Sequence, residues 1–154
     1  MTRIIHNLKY YDQFALAKPL ASLMAVAIPQ FKAQVTADVI VPIPLHKQRE
    51  KERGYNQAFL LAKELGRILN IPVSKTGLLR IRPTSSQAKL TREERIENMA
   101  QAFQANPDHI SNKNVLLVDD VCTTGATLFA AAAQLKSAGA HSISGLCVAR
   151  ALKL

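Results

Sequence analysis

The chain has no tryptophan and only two cysteines, Cys122 and Cys147. Two thiols exclude a disulfide framework, and also a four-cysteine zinc site built by this chain alone. They fit a reducing compartment. Aromatic residues make up 5% of the sequence, so platforms for stacking nucleobases are scarce. Long apolar runs are also missing, since Leu20 to Ile28 holds nine uncharged residues between Pro19 and Pro29. A membrane-spanning helix needs about 20. Ala25-Val26-Ala27 mimics a leader cleavage box, but Lys18 and Pro19 interrupt the run before it and no compact basic start precedes it. The expectation is a cytoplasmic chain without membrane insertion. There is no internal repeat, low-complexity tract or Ser/Gly linker. Neither G-x-x-x-x-G-K-[ST] nor G-x-G-x-x-G occurs, which removes two common nucleotide-binding loops.

Acid is the other shortage. Eleven Asp and Glu face 20 Lys and Arg, a formal net charge of +9. That excess anticipates an anionic partner: nucleic acid, acidic lipid or a polyphosphate metabolite. Residues 1–45 carry four bases and two acids, residues 46–100 twelve and six, and residues 101–154 four and three. The net charges are thus +2, +6 and +1, and the middle third dominates.

What is present describes a globular domain. A chain of 154 residues, 48% apolar, is about one domain's length and can bury a core of its own. We expect a single domain over 1–154, with a helical N-terminal cover (1–36) on an α/β core (37–154). Asp12 to Ala33 reads as helix, with Phe14, Leu16, Leu20, Leu23, Met24 and Ala27 on an apolar face. Asp38 to Pro44 is a β-branched run closed by two prolines, a buried strand ending in a loop. Ala58, Leu61, Ala62, Leu65 and Leu69 share one helix face, with Asn56 as N-cap. Val73–Ile81 and Met99–Phe103 are expected strands, separated by a basic, polar segment from Arg82 to Arg95. Val115 to Asp119 suits a strand buried on both faces. Thr127–Lys136 is an Ala-rich helix stopped by Gly139, and Ile143–Val148 a last strand. Strand–helix–strand units imply an α/β fold: a mostly parallel twisted sheet flanked by helices, with ligands at the carboxyl ends of the strands.

The most informative stretch is Val115 to Thr127, V-L-L-V-D-D-V-C-T-T-G-A-T. A buried strand delivers Asp119 and Asp120 to the ligand edge, where adjacent carboxylates suit vicinal sugar hydroxyls or a divalent cation. Thr123, Thr124, Gly125, Ala126 and Thr127 then lead directly into a helix. Small side chains let backbone N–H groups approach an anion, hydroxyls add donors and the helix start adds positive potential. Carboxylates followed by such a loop describe a ribose 5-phosphate site. Cys122 sits inside this loop, where a helix start lowers a thiol's pKa, yet it reads as a tolerated small residue and Cys147 as core. His6, His109 and His141 have no ligand spacing.

This pattern resembles the signature of type I phosphoribosyltransferases. The likeness extends to the ComF/GntX branch through Val41-Pro42-Ile43-Pro44-Leu45 and Arg53-Gly54-Tyr55-Asn56-Gln57, and through Arg80, Arg82, Thr84, Gln87, Leu90, Arg95, Asn98, Ala102 and Phe103. Ile4 to Tyr10 resembles the branch's segment before its N-terminal helix. The resemblance implies the type I phosphoribosyltransferase fold, with phosphoribosyl pyrophosphate and Mg²⁺ as ligands. Asp119 and Asp120 would meet the ribose hydroxyls and Thr123 to Thr127 the 5′-phosphate. Pro44, Leu45, His46 and Arg53 would meet the pyrophosphate. Lys47, Arg49 and Lys51 alternate with Glu50 and Glu52, so most of that segment is expected to be a solvated loop. Arg82, Thr84, Gln87, Lys89 and Arg95 would belong to a mobile lid that excludes water. Members of the branch commonly begin with a four-cysteine zinc module, and this chain starts where that module would end. No C-terminal hood is expected, which leaves residues 1–36 as cover. The branch's link to DNA uptake implies single-stranded DNA as an alternative partner, and a nucleotide-sensing domain without transferase activity is a third reading. The oligomeric state stays open, a homodimer among the arrangements allowed.

Overall fold

The central strands are apolar on both faces, and each face gathers its own layer. The computed structural model describes residues 14–31, 36–82 and 101–150. In chain order the elements are α1 (Ala17–Ala27, between 3₁₀ turns Phe14–Leu16 and Ile28–Phe31), β1 (Val39–Pro42), α2 (Lys47–Arg53), α3 (Gln57–Leu69), β2 (Leu78–Arg80), β3 (Phe103–Ala105), α4 (Pro107–Ile110), β4 (Asn114–Cys122), α5 (Ala126–Ser137) and β5 (Ser142–Arg150). Strand β4 is the centre. It pairs in parallel with β1, from Val39↔Val115 to Pro42↔Val118, and with β5, from Asn114↔Ser142 to Cys122↔Arg150. Val73 adds one parallel bridge to Ile40, through Ile40 N donating to Pro72 O and Ser74 N to Ile40 O. The order is therefore Val73, β1, β4, β5. Strands β2 and β3 form a separate antiparallel pair, Leu78↔Ala105 to Arg80↔Phe103.

Alternation along the strands divides the core. Val39, Val41, Val115 and Leu117 face Leu78, Phe103, Ile110, Ala131 and Leu135, a layer made by α4, α5 and the β2–β3 pair. Ile40, Leu116 and Val118 face Leu20, Met24, Leu61 and Leu65 of α1 and α3. Every residue of β1 is buried, as strands sandwiched between helices require. At Gly66 of α3 an added Cβ would lie 2.6 Å from Val73 Cγ2 and 2.8 Å from Ile71 O, so glycine lets the helix close onto the turn that follows it. At the amino ends of the strands, Asp38 Oδ2 accepts from Asn114 N (2.7 Å) and Nδ2 (2.9 Å), while Ser142 Oγ donates to Asn114 Oδ1 (2.6 Å). These bonds set β1, β4 and β5 in register from one end. The opposite, carboxyl end of β4 carries Asp119 and Asp120.

Several elements depart from the sequence expectations. The charged segment after Pro44 is a helix, α2, not a loop. His46 caps it, with Nδ1 accepting from Gln48 N at 3.4 Å, and Gly54 stops it at φ 78°. The expected strand 73–81 divides into the Val73 bridge and β2. The strand at Phe103 runs forward to Ala105, and helix α4 starts from an Asn106 cap with Pro107 behind it. β4 continues past Asp119 to Cys122, since β5 pairs along that whole length. Ile4 to Tyr10 and the segment 83–100 lie outside the described residues.

Candidate functional site

Helix α3 connects β1 outward to Val73, and α5 connects β4 outward to β5. The connections diverge between β1 and β4, and in open α/β sheets a crevice opens at the carboxyl ends of such a strand pair. Ile43 N still donates to Val118 O (2.8 Å), so the chain leaves the sheet at Pro44 level with Asp119. Pro44, Leu45 and His46, all half-buried, therefore border the same crevice as the acidic pair.

On β4, Asp119 and Asp120 follow the buried run Val115–Val118 and are half-buried. Each is oriented locally, Asp119 Oδ1 accepting from Asp120 N (2.9 Å) and Asp120 Oδ1 from Val121 N (2.7 Å). Adjacent strand residues point to opposite faces. Asp119 accordingly lines a small, open concavity with Val121, Cys122, Thr123, Gly125, Ala126, Thr127 and Leu128, and Asp120 does not. The floor of this concavity is the turn into α5. Gly125 takes φ 81°, an L-residue's unfavourable region, and aims the chain into the helix start at Ala126. Thr124 Oγ1 accepts from Ala126 N at 3.4 Å. The structure thus brings Asp119, Thr123, Gly125, Ala126 and Thr127 to one cavity, with Thr124 exposed at its rim.

The basic side of the site differs from expectation. Arg53, half-buried, ends α2 just before the Gly54 turn. Sequence reasoning missed Arg49 and Arg80 as site residues. Arg80 ends β2 with its guanidinium 5.5 Å from the Phe103 ring, its register partner on β3. Burial lowers its pKa first, the Arg49 charge lowers it further, and Asp119 pulls it back up. Two guanidiniums from different elements and one carboxylate therefore share a field at this edge. Two features of the fold present them. Leu78 and Arg80 alternate inward on a strand, and His46 and Gly54 bracket a helix that carries Arg49. Arg82 donates from Nη1 to Gln101 Oε1 (2.6 Å), while Thr84, Gln87, Lys89 and Arg95 lie outside the described residues.

Cys147, the register partner of Asp119, is half-buried, and its thiol is pushed up to about 12. Burial is the larger cause, and the charges of Asp119, Cys122 and Asp120 add to it. This favours the protonated thiol and fits a packing role.

A parallel sheet with helices on both faces, an acidic central strand and a glycine turn into the following helix together define the type I phosphoribosyltransferase fold. The family model "Phosphoribosyl transferase domain" matches residues 55–153. Among solved structures, the fold is similar to glutamine phosphoribosylpyrophosphate amidotransferase from B. subtilis (TM-score 0.64, 18% identity, 94% of this chain and 30% of that one). It is also similar to purine phosphoribosyltransferase from Pyrococcus horikoshii (TM-score 0.51, 21% identity, 86% of this chain and 70% of that one). In sequence the chain is similar to Competence protein F of Haemophilus influenzae, 34% identical over 96% of this chain and 67% of that protein. It is 30% identical to the DNA utilization protein YhgH of Escherichia coli over 99% of this chain and 68% of that protein. With Competence protein ComFC of Bacillus subtilis it shares 40% identity over 73% of this chain and 44% of that protein. The chain belongs to the ComF family of the phosphoribosyltransferase superfamily.

Proposed function

We propose that this edge binds phosphoribosyl pyrophosphate with Mg²⁺ and transfers its phosphoribosyl group to an acceptor nitrogen. The observation that carries the reading is the cavity that Asp119 lines together with Thr123, Gly125, Ala126 and Thr127, a carboxylate beside a helix start. The backbone N–H groups of Gly125 to Thr127 hold the 5′-phosphate, with the Thr123 and Thr124 hydroxyls beside them. Asp119, with Asp120 next along β4, accepts hydrogen bonds from the ribose hydroxyls. The pyrophosphate extends toward Pro44, Leu45 and His46, where Arg49, Arg53 and Arg80 supply positive charge. As the bond from the anomeric carbon to the pyrophosphate oxygen breaks, the acceptor nitrogen bonds to the opposite face of that carbon, with inversion. The guanidiniums stabilise charge that grows on the departing oxygen, which is stronger in the transition state than in the bound substrate. Arg82, Thr84, Gln87, Lys89 and Arg95 are assigned to the segment that keeps water from the reacting carbon.

Among the described residues no three ligating side chains gather at one point. The carboxylate on offer in the cavity is that of Asp119, with Asp120 on the other face of β4, so a magnesium ion there would be held mostly by substrate phosphates. Bound that way, the metal supplies charge neutralisation to the leaving pyrophosphate.

A second reading, single-stranded DNA as partner, is favoured by the +6 carried by residues 46–100. The relatives' names, Competence protein F and DNA utilization protein, point the same way.

Isothermal calorimetry tests the first reading. Saturable heat is expected when phosphoribosyl pyrophosphate and Mg²⁺ are titrated into the wild type, and none for Asp119→Asn plus Asp120→Asn with an unchanged circular dichroism spectrum. Absence of heat with the wild type would sink it. Binding with no pyrophosphate release across a panel of nitrogen acceptors would favour a nucleotide sensor over a transferase.

A further inference from the structure

Three polar side chains are buried among the described residues: Asn56, Gln57 and Ser74. Two of them are satisfied. Asn56 Nδ2 donates to Ile43 O at 3.0 Å, and Ser74 Oγ lies 3.0 Å from His109 Nδ1. Gln57 is 2% exposed, and its Nε2 has no hydrogen-bond partner. A buried amide without a partner costs stability that an apolar side chain of the same shape would not. Apolar residues do fit this row of α3. Gln57, Leu61 and Leu65 follow one another every fourth residue, and the two leucines pack on Ile40, Leu116 and Val118.

Backbone bonds fix this amide at the carboxyl edge of the sheet. Ile43 N donates to Val118 O and Ile43 O accepts from Asn56 Nδ2, so α3 starts level with the residues that follow Val118. Side chains alternate along β4, which returns Asp120 to the face of Leu116 and Val118, where α3 packs. Gln57 continues the leucine row past Val118 toward that carboxylate. Asp119 lines its cavity with Thr123, Gly125, Ala126 and Thr127 on the other face. The crevice thus has two walls. One joins a carboxylate to the start of α5, and the other joins a carboxylate to a buried amide.

A sugar phosphate bridging these walls has a fixed polarity. With the 5-phosphate at Thr123–Thr127, carbons 5 and 4 lie on the Asp119 side. Carbon 1 then points to Pro44–His46, beside the bond between Asn56 and Ile43. The hydroxyl nearest Gln57 is the one on carbon 2. A hydroxyl both donates and accepts, so it serves an acceptor carboxylate and a donor amide together. We propose that Gln57 is the residue by which this site tells ribose from 2-deoxyribose, its Nε2 donating to the carbon-2 hydroxyl that Asp120 holds. This rests on the reading that the edge binds a ribose 5-phosphate, and adds the class of sugar it accepts. The hydroxyl supplies the acceptor that Nε2 lacks within the chain. A site built on such a bond rejects the analogue without the hydroxyl, because its buried polar groups stay unpaired.

Isothermal calorimetry with ribose 5-phosphate and 2-deoxyribose 5-phosphate tests this on the wild type, Gln57→Met and Gln57→Glu. The wild type should prefer ribose 5-phosphate by at least about tenfold, the scale of one hydrogen-bonded hydroxyl. Gln57→Met keeps the length of the side chain without its amide. It should lose most of the preference and bind 2-deoxyribose 5-phosphate as the wild type does. Gln57→Glu should weaken ribose 5-phosphate as well, since a second carboxylate beside Asp120 repels it and donates nothing. Gln57→Met should also melt no lower than the wild type, because it removes an unsatisfied buried donor. A lower midpoint would show that the fold already satisfies Nε2, and would overturn the proposal. Equal affinity of the wild type for the two sugars, or an unchanged preference in Gln57→Met, would overturn it while leaving the phosphate-turn reading intact. Equal weakening of both sugars in Gln57→Met would make the amide a support for the helix start and overturn it too. No heat from either sugar with the wild type would overturn both readings.

Discussion

Gly125 carries two demands at once. Its φ of 81° is costly for any L-residue, and a Cβ there would crowd the Phe129 ring, 3.1 Å from Cε2. Gly125→Ala should lower unfolding free energy by about 1–2 kcal/mol from the backbone alone, measured by urea titration. It should also abolish binding of ribose 5-phosphate, because relief of the strain moves the N–H groups that form the cradle. Cys147 makes a second prediction. Its thiol rises from 9.0 to about 12 in the fold, so between these values the folded chain retains a proton that the unfolded chain has lost. This contribution to stability is complete below pH 9 and declines as pH rises toward 12. Chemical denaturation across that range should show the decline, and Cys147→Ala should flatten it. A steeper decline in the variant would contradict the assignment.

Among the elements, α3 is the most legible. Its apolar spacing located Leu61, Ala62 and Leu65, all fully buried, and Asn56 is its N-cap as expected. Sequence could not show that Asn56 works twice. Its Oδ1 accepts from Phe59 N at 3.3 Å, while its buried Nδ2 donates to Ile43 O at 3.0 Å, joining the helix start to the end of β1. Asn56→Ala should therefore cost about 2 kcal/mol, a cap plus a buried carbonyl left without its donor. Asn56→Ser should recover part of the loss, and full recovery would show that the bond to Ile43 contributes nothing. Helix α2 was illegible for the opposite reason. It buries no residue, so no apolar period marks it, and its ends depend on His46 and on the left-handed Gly54. β4 was read too short because Asp119 and Asp120 look like a strand's end. Pairing with β5 carries it three residues further, to Cys122.

At the scale of the molecule, the parallel sheet and its two helix layers followed from strand–helix alternation, and the turn that shares a cavity with Asp119 from V-L-L-V-D-D…T-T-G-A-T. The cationic side did not. Arg80 reaches the site only because an antiparallel pair outside the main sheet places it beside Phe103 and within the fields of Arg49 and Asp119, a long-range arrangement with no local signature. If that arrangement receives pyrophosphate, Arg80→Ala should weaken phosphoribosyl pyrophosphate binding about tenfold or more, the scale of a lost charge-assisted hydrogen bond. Ribose 5-phosphate, which lacks the pyrophosphate, should bind the variant as it binds the wild type.

The most direct measurement is a crystal structure of the chain with phosphoribosyl pyrophosphate and Mg²⁺. The expected result has the 5′-phosphate within hydrogen-bond distance of the Gly125 to Thr127 N–H groups. The ribose hydroxyls should lie on Asp119, and the pyrophosphate between Pro44–His46 and the Arg80 guanidinium. A ligand seated away from the Thr123–Thr127 turn, or no bound ligand at saturating concentration, would contradict the proposed site.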